Sequence, residues 1–133
     1  MTQIEIAPIP DRSGFLVRQA LIDRFGTTTA TPTYRLEVEL DDRIDAFGVR
    51  GDNSAARERR TLRARFRLVD VATNAVLVDA TAGSDAGIDR VSSNYAVVAA
   101  ETTALERLST EIAAQIAARI ARYSQATTAP TDR

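Results

Sequence analysis

The chain has 133 residues, a formal net charge of -1, and neither cysteine nor histidine. This length suits one domain, and the charge gives no general attraction to nucleic acid. Without those two residue types, thiol nucleophiles, histidine bases and thiolate or imidazole metal sites are excluded. No apolar run approaches the roughly 20 residues that a membrane-spanning helix needs. We expect no cofactor, no metal and no nucleic-acid partner.

A short strand and a helix are predicted at the start of the chain. Residues 3–9 alternate in polarity, and Pro8 and Pro10 close the segment. Because proline cannot donate a ladder hydrogen bond, this strand belongs at a sheet edge. Residues 15–25 carry apolar side chains at helical spacing. Asp11 or Ser13 would cap this helix, and Gly26 would end it.

Three further strands are predicted in the middle of the chain. The ranges 34–40, 60–71 and 75–82 alternate apolar and polar side chains, which indicates one buried and one solvated face. We expect a long polar loop over 41–58 and a second loop over 83–91.

One long helix is predicted over residues 95–123, where apolar side chains recur in steps of three and four. Its length of roughly 45 Å exceeds the roughly 25 Å of a strand of seven or eight residues. We therefore expect the helix to extend beyond the sheet or to cover a partner. A single domain over 1–123 would end there, and residues 124–133 would form a flexible tail.

Together these elements predict an α+β fold with the order β-α-β-β-β-α. Each helix has one apolar stripe, and three strands have one apolar face. Every stripe is buried if two helices pack on one face of a four-stranded, mainly antiparallel sheet. The opposite face of the sheet is charged, so it must meet water or a polar partner.

Arginines are concentrated on the third predicted strand. Arg63, Arg65 and Arg67 point to its polar side, where we expect them to lie across from Glu37 and Glu39 of the neighbouring strand. Such cross-strand pairs contribute roughly 0.2–1 kcal/mol each, and less when they are fully exposed.

A second group of arginines, Arg57, Arg59 and Arg60, lies where the predicted long loop enters that strand. Guanidinium groups bind phosphate in a bidentate manner. A phosphate-bearing ligand is therefore a hypothesis for this end of the sheet. Nucleic acid fits poorly, because Phe66 is expected to point inward and no platform for stacking bases is evident.

Two pairs of carboxylates, Asp41 with Asp42 and Asp85 with Asp89, are the remaining candidates for chemistry. Glycosidases and carboxylate metal sites use such pairs, but aspartate is also favoured in turns and caps. The chain contains no histidine or lysine, so its serines lack an activating base. The residues therefore indicate no catalytic site.

Several stretches of the sequence resemble the LptE family of outer-membrane lipoproteins, particularly its alphaproteobacterial members. Their order and spacing carry the resemblance, which runs from Ile4 to Tyr123, and the stretches are 14–21, 34–38, 59–70 and 92–101. The resemblance implies a non-enzymatic protein with two helices on a four-stranded sheet. It also implies that the protein sits within the LptD barrel, assists assembly of that barrel and contacts lipopolysaccharide.

The resemblance also implies a location at the periplasmic face of the outer membrane, through a lipid-modified cysteine at the mature N-terminus. This sequence has no cysteine, so we expect the anchoring residue to lie upstream of it. For the phosphates of lipid A, the candidate contacts are Arg50, Arg57, Arg59 and Arg60.

Other interpretations remain open on the sequence alone. An auxiliary lipoprotein of a phospholipid or solvent-tolerance ABC transporter has a similar size and order of elements. A small carboxylate-dependent hydrolase would need a deep pocket that holds Asp85 and Asp89. A structural adaptor would oligomerise through the long helix.

Overall fold

The computed structural model describes residues 4–26, 31–47, 57–89 and 94–128. In chain order, the elements are β1 (Ile4–Ile6), α1 (Asp11–Phe25), β2 (Tyr34–Phe47), β3 (Arg57–Asp70), β4 (Val76–Asp89) and α2 (Asn94–Thr128). The sheet order is β1-β2-β3-β4, in which β1 pairs with β2 in parallel and the other neighbours are antiparallel. The predicted α+β fold and the edge position of β1 are confirmed.

Most of the two predicted helical stripes is buried in one core on one face of the sheet. The start of the predicted stripe of α2 is not part of it, since Tyr95 is 85% and Val98 59% exposed. The fully buried members of this core come from both helices and from three strands, and the largest are Ile4, Leu21, Leu36, Leu62, Phe66, Leu68, Leu108, Ile112, Ile116 and Ile120. Burying a side chain of this kind stabilises the fold by roughly 1.5–3 kcal/mol relative to leaving it exposed. None of the described helices has a segment long and apolar enough to cross a membrane.

β2 and β4 are about twice as long as predicted, whereas β3 is only two residues longer and β1, with 3 residues, is shorter. β2, β3 and β4 have 14 residues each and so span about 46 Å, whereas the 35 residues of α2 span about 52 Å. The expected loops are therefore partly wrong. Residues 41–47 and 57–58 of the first loop, and residues 83–89 of the second, belong to strands. Helix and strands are thus nearly matched in length, and the expected large overhang is wrong.

The helix ends differ from the predicted ones in two places. α1 begins at Asp11 with Pro10 at its N-cap and no side-chain capping bond, so neither predicted cap is correct. Gly26 ends α1 as predicted, with a φ of 83° that favours glycine and an N–H that donates to the carbonyl of Ile22 at 2.7 Å. α2 continues past Tyr123 to Thr128. Residues 129–133 lie outside the described residues, so the division between domain and tail stays a prediction.

A helix side chain covers each outer edge of the sheet at one point. Gln115 of α2 donates to the carbonyl of Gly83 at 2.9 Å and accepts from the Gly83 N–H at 3.1 Å. Arg18 of α1 donates from Nε to the carbonyl of Ile6 at 3.1 Å. Unpaired edge groups invite pairing with another chain, and these bonds therefore remove part of the exposed edge on β4 and β1.

Ser109 of α2 is a polar side chain inside the core. It is 2% exposed, and its Oγ has no hydrogen-bond partner in the described part of the chain. A buried hydroxyl without a partner costs about 1–3 kcal/mol, and alanine has the higher helix propensity. We expect Ser109→Ala to raise the free energy of unfolding by about 1 kcal/mol, measured by urea denaturation.

Ser84 provides the matched control for this prediction, because its Oγ donates to Glu111 Oε1. Ser84→Ala removes this existing hydrogen bond, so it should lower the free energy of unfolding. If the free energy of unfolding changed equally and with the same sign in both variants, Ser109 could not be an unsatisfied group.

Candidate interaction surface

The outer face of the sheet, opposite the helices, carries a network of opposite charges centred on β3. The register places Arg67 across from Glu37 and Arg65 across from Glu39, as predicted. Arg67 Nη2 lies 3.6 Å from Glu37 Oε1. The alternation of β3 therefore identified this face and these opposing pairs correctly.

Acids of β4 form the closer ion pairs, which the sequence prediction did not include. Arg65 donates from Nε and Nη2 to the two carboxylate oxygens of Asp79 at 3.1 and 2.9 Å. Arg59 Nη1 donates to Asp85 Oδ2 at 2.9 Å. The hydrogen bond from Arg65 lowers the pKa of Asp79 and raises the pKa of Arg65. These pairs are exposed, so they order the side chains more than they stabilise the fold.

Arg63 differs from its neighbours on the outer face. Its cross-strand partners in the register are Asp41 and Gly83, and it makes no ion pair with any of the described residues. Because Gly83 has no side chain, the surface has a shallow depression of about 580 Å³ here, lined by Thr61, Arg63, Thr81, Gly83 and Asp85. The expectation that Arg63 lies across from a glutamate is therefore wrong.

The predicted phosphate contacts are divided between the two faces of the sheet. Arg57 and Arg59 are exposed on the outer face, two residues apart on β3. Arg60 points to the inner face and is partly buried. Arg50 lies outside the described residues. Adjacent residues of a strand point to opposite faces, and this separates Arg60 from Arg59.

Arg60 joins two strands to α2. Its Nε and Nη2 donate to both carboxylate oxygens of Asp42 at 3.0 and 2.7 Å, and its Nη1 donates to the carbonyl of Glu101 at 2.9 Å. The Arg60 and Asp42 side chains are 13% and 22% exposed. The hydrogen bond with Asp42 raises the pKa of Arg60. The guanidinium is therefore engaged in holding β2, β3 and α2 together.

Arg60 also lines a cavity of about 500 Å³ beside the start of α1. The charged residues that line it are Asp11, Arg12, Asp41, Asp42 and Arg60. Carboxylates outnumber guanidinium groups in this set, so the charge of the cavity does not favour a phosphate.

The carboxylate pairs do not form a catalytic arrangement in the described structure. Asp41 and Asp42 are adjacent on β2 and point to opposite faces. Asp85 is bonded to Arg59, and the side chain of Asp89 lies outside the described residues. Within the described ranges there is also no group of three or more acidic side chains placed to hold a metal ion.

The comparison with protein families decides between the interpretations that the sequence left open. The chain matches the model of the LptE lipopolysaccharide-assembly family over residues 1–120. The protein belongs to the LptE family. This family is non-enzymatic, so the hydrolase interpretation is set aside. Membership also favours lipopolysaccharide assembly over the interpretation as a transporter lipoprotein.

Solved structures share the LptE fold at low sequence identity. A Caulobacter crescentus protein described as a lipoprotein has 24% identity and a TM-score of 0.75, over 92% of this chain and 90% of that chain. Rare lipoprotein B from Shewanella oneidensis has 12% identity and a TM-score of 0.64, over 92% of this chain and 96% of that chain. A minor lipoprotein from Acinetobacter baumannii has 16% identity and a TM-score of 0.62, over 89% of this chain and 94% of that chain. The curated proteins contain no significant match.

Proposed function

We propose that this LptE-family protein is an outer-membrane lipoprotein that faces the periplasm, partners an LptD barrel and contacts lipopolysaccharide during its assembly. The observation that carries the proposal is the family match over residues 1–120. The solved structures described as lipoproteins have the same fold, which supports attachment through a lipidated cysteine upstream of this sequence.

The outer face of the sheet is the surface that suits the water-filled lumen of a barrel. Both signs of charge alternate across it, and ion pairs such as Arg65 with Asp79 hold the side chains in place. Side chains that are ordered before binding lose less conformational entropy on contact. A polar face of this kind can pack against a polar wall at a low cost, because many of its charges already have partners on the same face.

The lipopolysaccharide contact is proposed at the row formed by Arg57, Arg59 and Arg63. These arginines lie on the outer face of one strand, and alternate residues of a strand are about 7 Å apart. Arg63 joins the row because it has no ion pair in the described residues and borders the depression at Gly83. Arg50 remains a candidate outside the described residues. Arg60 contributes indirectly, by holding the strands in place.

Lipopolysaccharide binding by the variant Arg57→Gln/Arg59→Gln/Arg63→Gln tests this assignment. A hydrogen bond to a charged group contributes about 1.5–3 kcal/mol, so we expect the affinity to fall at least about tenfold. The salt dependence of binding should become weaker, while the melting temperature stays nearly unchanged because these side chains are exposed.

The variant Arg65→Gln/Arg67→Gln is the control, since it removes positive charge from the same face of β3 but outside the proposed row. It should reduce binding much less than the triple variant. Equal losses in both would show that the whole face attracts lipopolysaccharide and that the proposed row has no special role.

Co-purification from cells tests the partnership with the barrel. The protein expressed in its native cells should bring down an LptD-type barrel from solubilised outer membranes. Recovery of inner-membrane transporter components in place of the barrel would overturn the proposed partnership.

A further inference from the structure

The depression at Gly83 is a polar hollow on the outer face of the sheet. It has a volume of about 580 Å³, and the side chains around it on this face belong to Thr61, Arg63, Thr81 and Asp85. The nearest atom that a Cβ at Gly83 would meet is Arg63 Cγ, at 3.8 Å. The depression therefore exists because position 83 carries no side chain, whereas its neighbours on the same face of β4 do.

The floor of the depression is held in place from both sides. Gln115 of α2 bonds to the N–H and to the carbonyl of Gly83, at 3.1 and 2.9 Å. On the other side, β3 pairs with the same residue, and Arg63 is its partner in the register. A surface that is fixed before a ligand arrives loses less conformational entropy on binding. The depression is therefore a preformed site.

The rim of the depression offers both donors and acceptors of hydrogen bonds. Thr61 and Thr81 each have a hydroxyl group that can donate and accept. Asp85 accepts from Arg59 through Oδ2 at 2.9 Å, so its Oδ1 is available as an acceptor. Arg63 makes no ion pair with the described residues and supplies N–H donors. This mixture suits a ligand whose own hydroxyl groups both donate and accept.

The acyl chains, phosphates and sugars of lipopolysaccharide differ in how well they match this rim. Acyl chains are disfavoured, because they would desolvate the polar side chains without bonding to them. The one apolar side chain among the described residues of the lining is Ala82, and it is only 4% exposed. The carboxylate of Asp85 repels a phosphate, which Arg57 and Arg59 attract further along the same face. Sugar hydroxyl groups match the donors and the acceptors together.

We propose that the depression at Gly83 binds a sugar ring from the saccharide part of lipopolysaccharide. This assignment rests on the proposed function and adds to it which part of the ligand lies at this position. Because Arg59 bonds to Asp85 at the rim, its guanidinium lies within reach of a phosphate carried by the same sugar. The site and the arginine row would thus hold neighbouring parts of one molecule.

Gly83→Val tests the proposal by filling the depression. A Cβ has room at this position and valine has a higher strand propensity than glycine, so the variant should fold normally. The loss of hydrogen bonds to the sugar should lower its affinity for lipopolysaccharide about tenfold. The salt dependence of binding should stay unchanged, because no charge is removed. This separates the loss from that of the arginine variant, whose salt dependence becomes weaker.

Thr81→Val removes one hydroxyl of the rim at nearly constant volume. We expect it to lower the affinity for lipopolysaccharide about fivefold, the effect of one hydrogen bond. Thr103→Val is the matched control, since it makes the same change at an exposed position of α2 and should leave the affinity unchanged. Equal affinities of the two variants would contradict a role for the Thr81 hydroxyl in binding a sugar.

NMR titrations of the whole chain distinguish a sugar site from a phosphate site. The deacylated and dephosphorylated saccharide of lipopolysaccharide should shift the amide signals of Thr81, Gly83 and Asp85. Inorganic phosphate should instead shift those of Arg57 and Arg59. If phosphate shifts the Gly83 signal and the saccharide does not, the depression is a phosphate site and the proposal is wrong.

The failure of this proposal can be told apart from the failure of the proposed function. If the wild-type chain binds no lipopolysaccharide, both are overturned. If the wild type binds lipopolysaccharide and Gly83→Val binds it equally well, the proposed function stands and the sugar site alone is overturned.

Discussion

Gly14→Ala is expected to destabilise the protein by about 3 kcal/mol, at the upper end of typical overpacking costs. Gly14 is buried in the first turn of α1, where a Cβ would lie 2.3 Å from the carbonyl oxygen of Ile9 and 2.6 Å from its carbonyl carbon. These are backbone atoms, so relief requires a shift of the whole segment before α1. The helix would then move relative to β1 and β2.

Urea denaturation of Gly14→Ala measures this loss, with Gly83→Ala as the matched control. A Cβ at Gly83 would meet its nearest neighbouring atom, Arg63 Cγ, at 3.8 Å, which is ordinary contact. Gly83→Ala should therefore change the free energy of unfolding by less than about 1 kcal/mol. Similar unfolding midpoints for the two variants would refute the close approach of Ile9 to α1.

Asp42→Ala is expected to cost about 2 kcal/mol, because it leaves the guanidinium of Arg60 without its bidentate partner. Removing one member of a buried ion pair costs about 3–5 kcal/mol, and the 13% and 22% exposure of these side chains reduces that figure. α2 should loosen at its N-terminal half, because the bond from Arg60 to the Glu101 carbonyl then loses its support.

Asp41→Ala is the control for this prediction, since Asp41 is adjacent in sequence but 61% exposed on the outer face. It should change the stability by less than about 0.5 kcal/mol. A double-mutant cycle of Asp42→Ala with Arg60→Met should give a coupling energy of about 1–2 kcal/mol. A coupling near zero, or equal effects of Asp41→Ala and Asp42→Ala, would mean that the pair does not join the strands to α2.

The elements with a strong apolar periodicity were predicted correctly, because their buried side chains recur at the spacing of a helix or a strand. The stripe of α2 from Leu105 to Ile120 and the alternation of β3 around Phe66 are examples, and both form the core. The opposition of Arg65 and Arg67 to Glu39 and Glu37 also followed from alternation, once two strands were assumed to be neighbours.

The lengths of the strands were not predictable in the same way. Residues 41–46 are exposed on both faces of β2. No alternation of buried and exposed side chains therefore marks them as a strand. Hydrogen bonds to β3 hold them extended, and those partners lie 12 to 22 positions further along the chain. The ends of β2 and β4 therefore depend on pairing between strands and not on their own composition.

For the proposed interaction surface, the sequence by itself determined the strand order along the chain, the polar face and the presence of arginines on β3. Tertiary structure decided what each arginine does: Arg65 bonds to Asp79, Arg60 joins Asp42 to α2, and Arg63 lies beside Gly83. Periodicity reports only which face a side chain occupies. Its partners depend on the register between strands and on the helix above them, and these contacts connect residues distant in the chain.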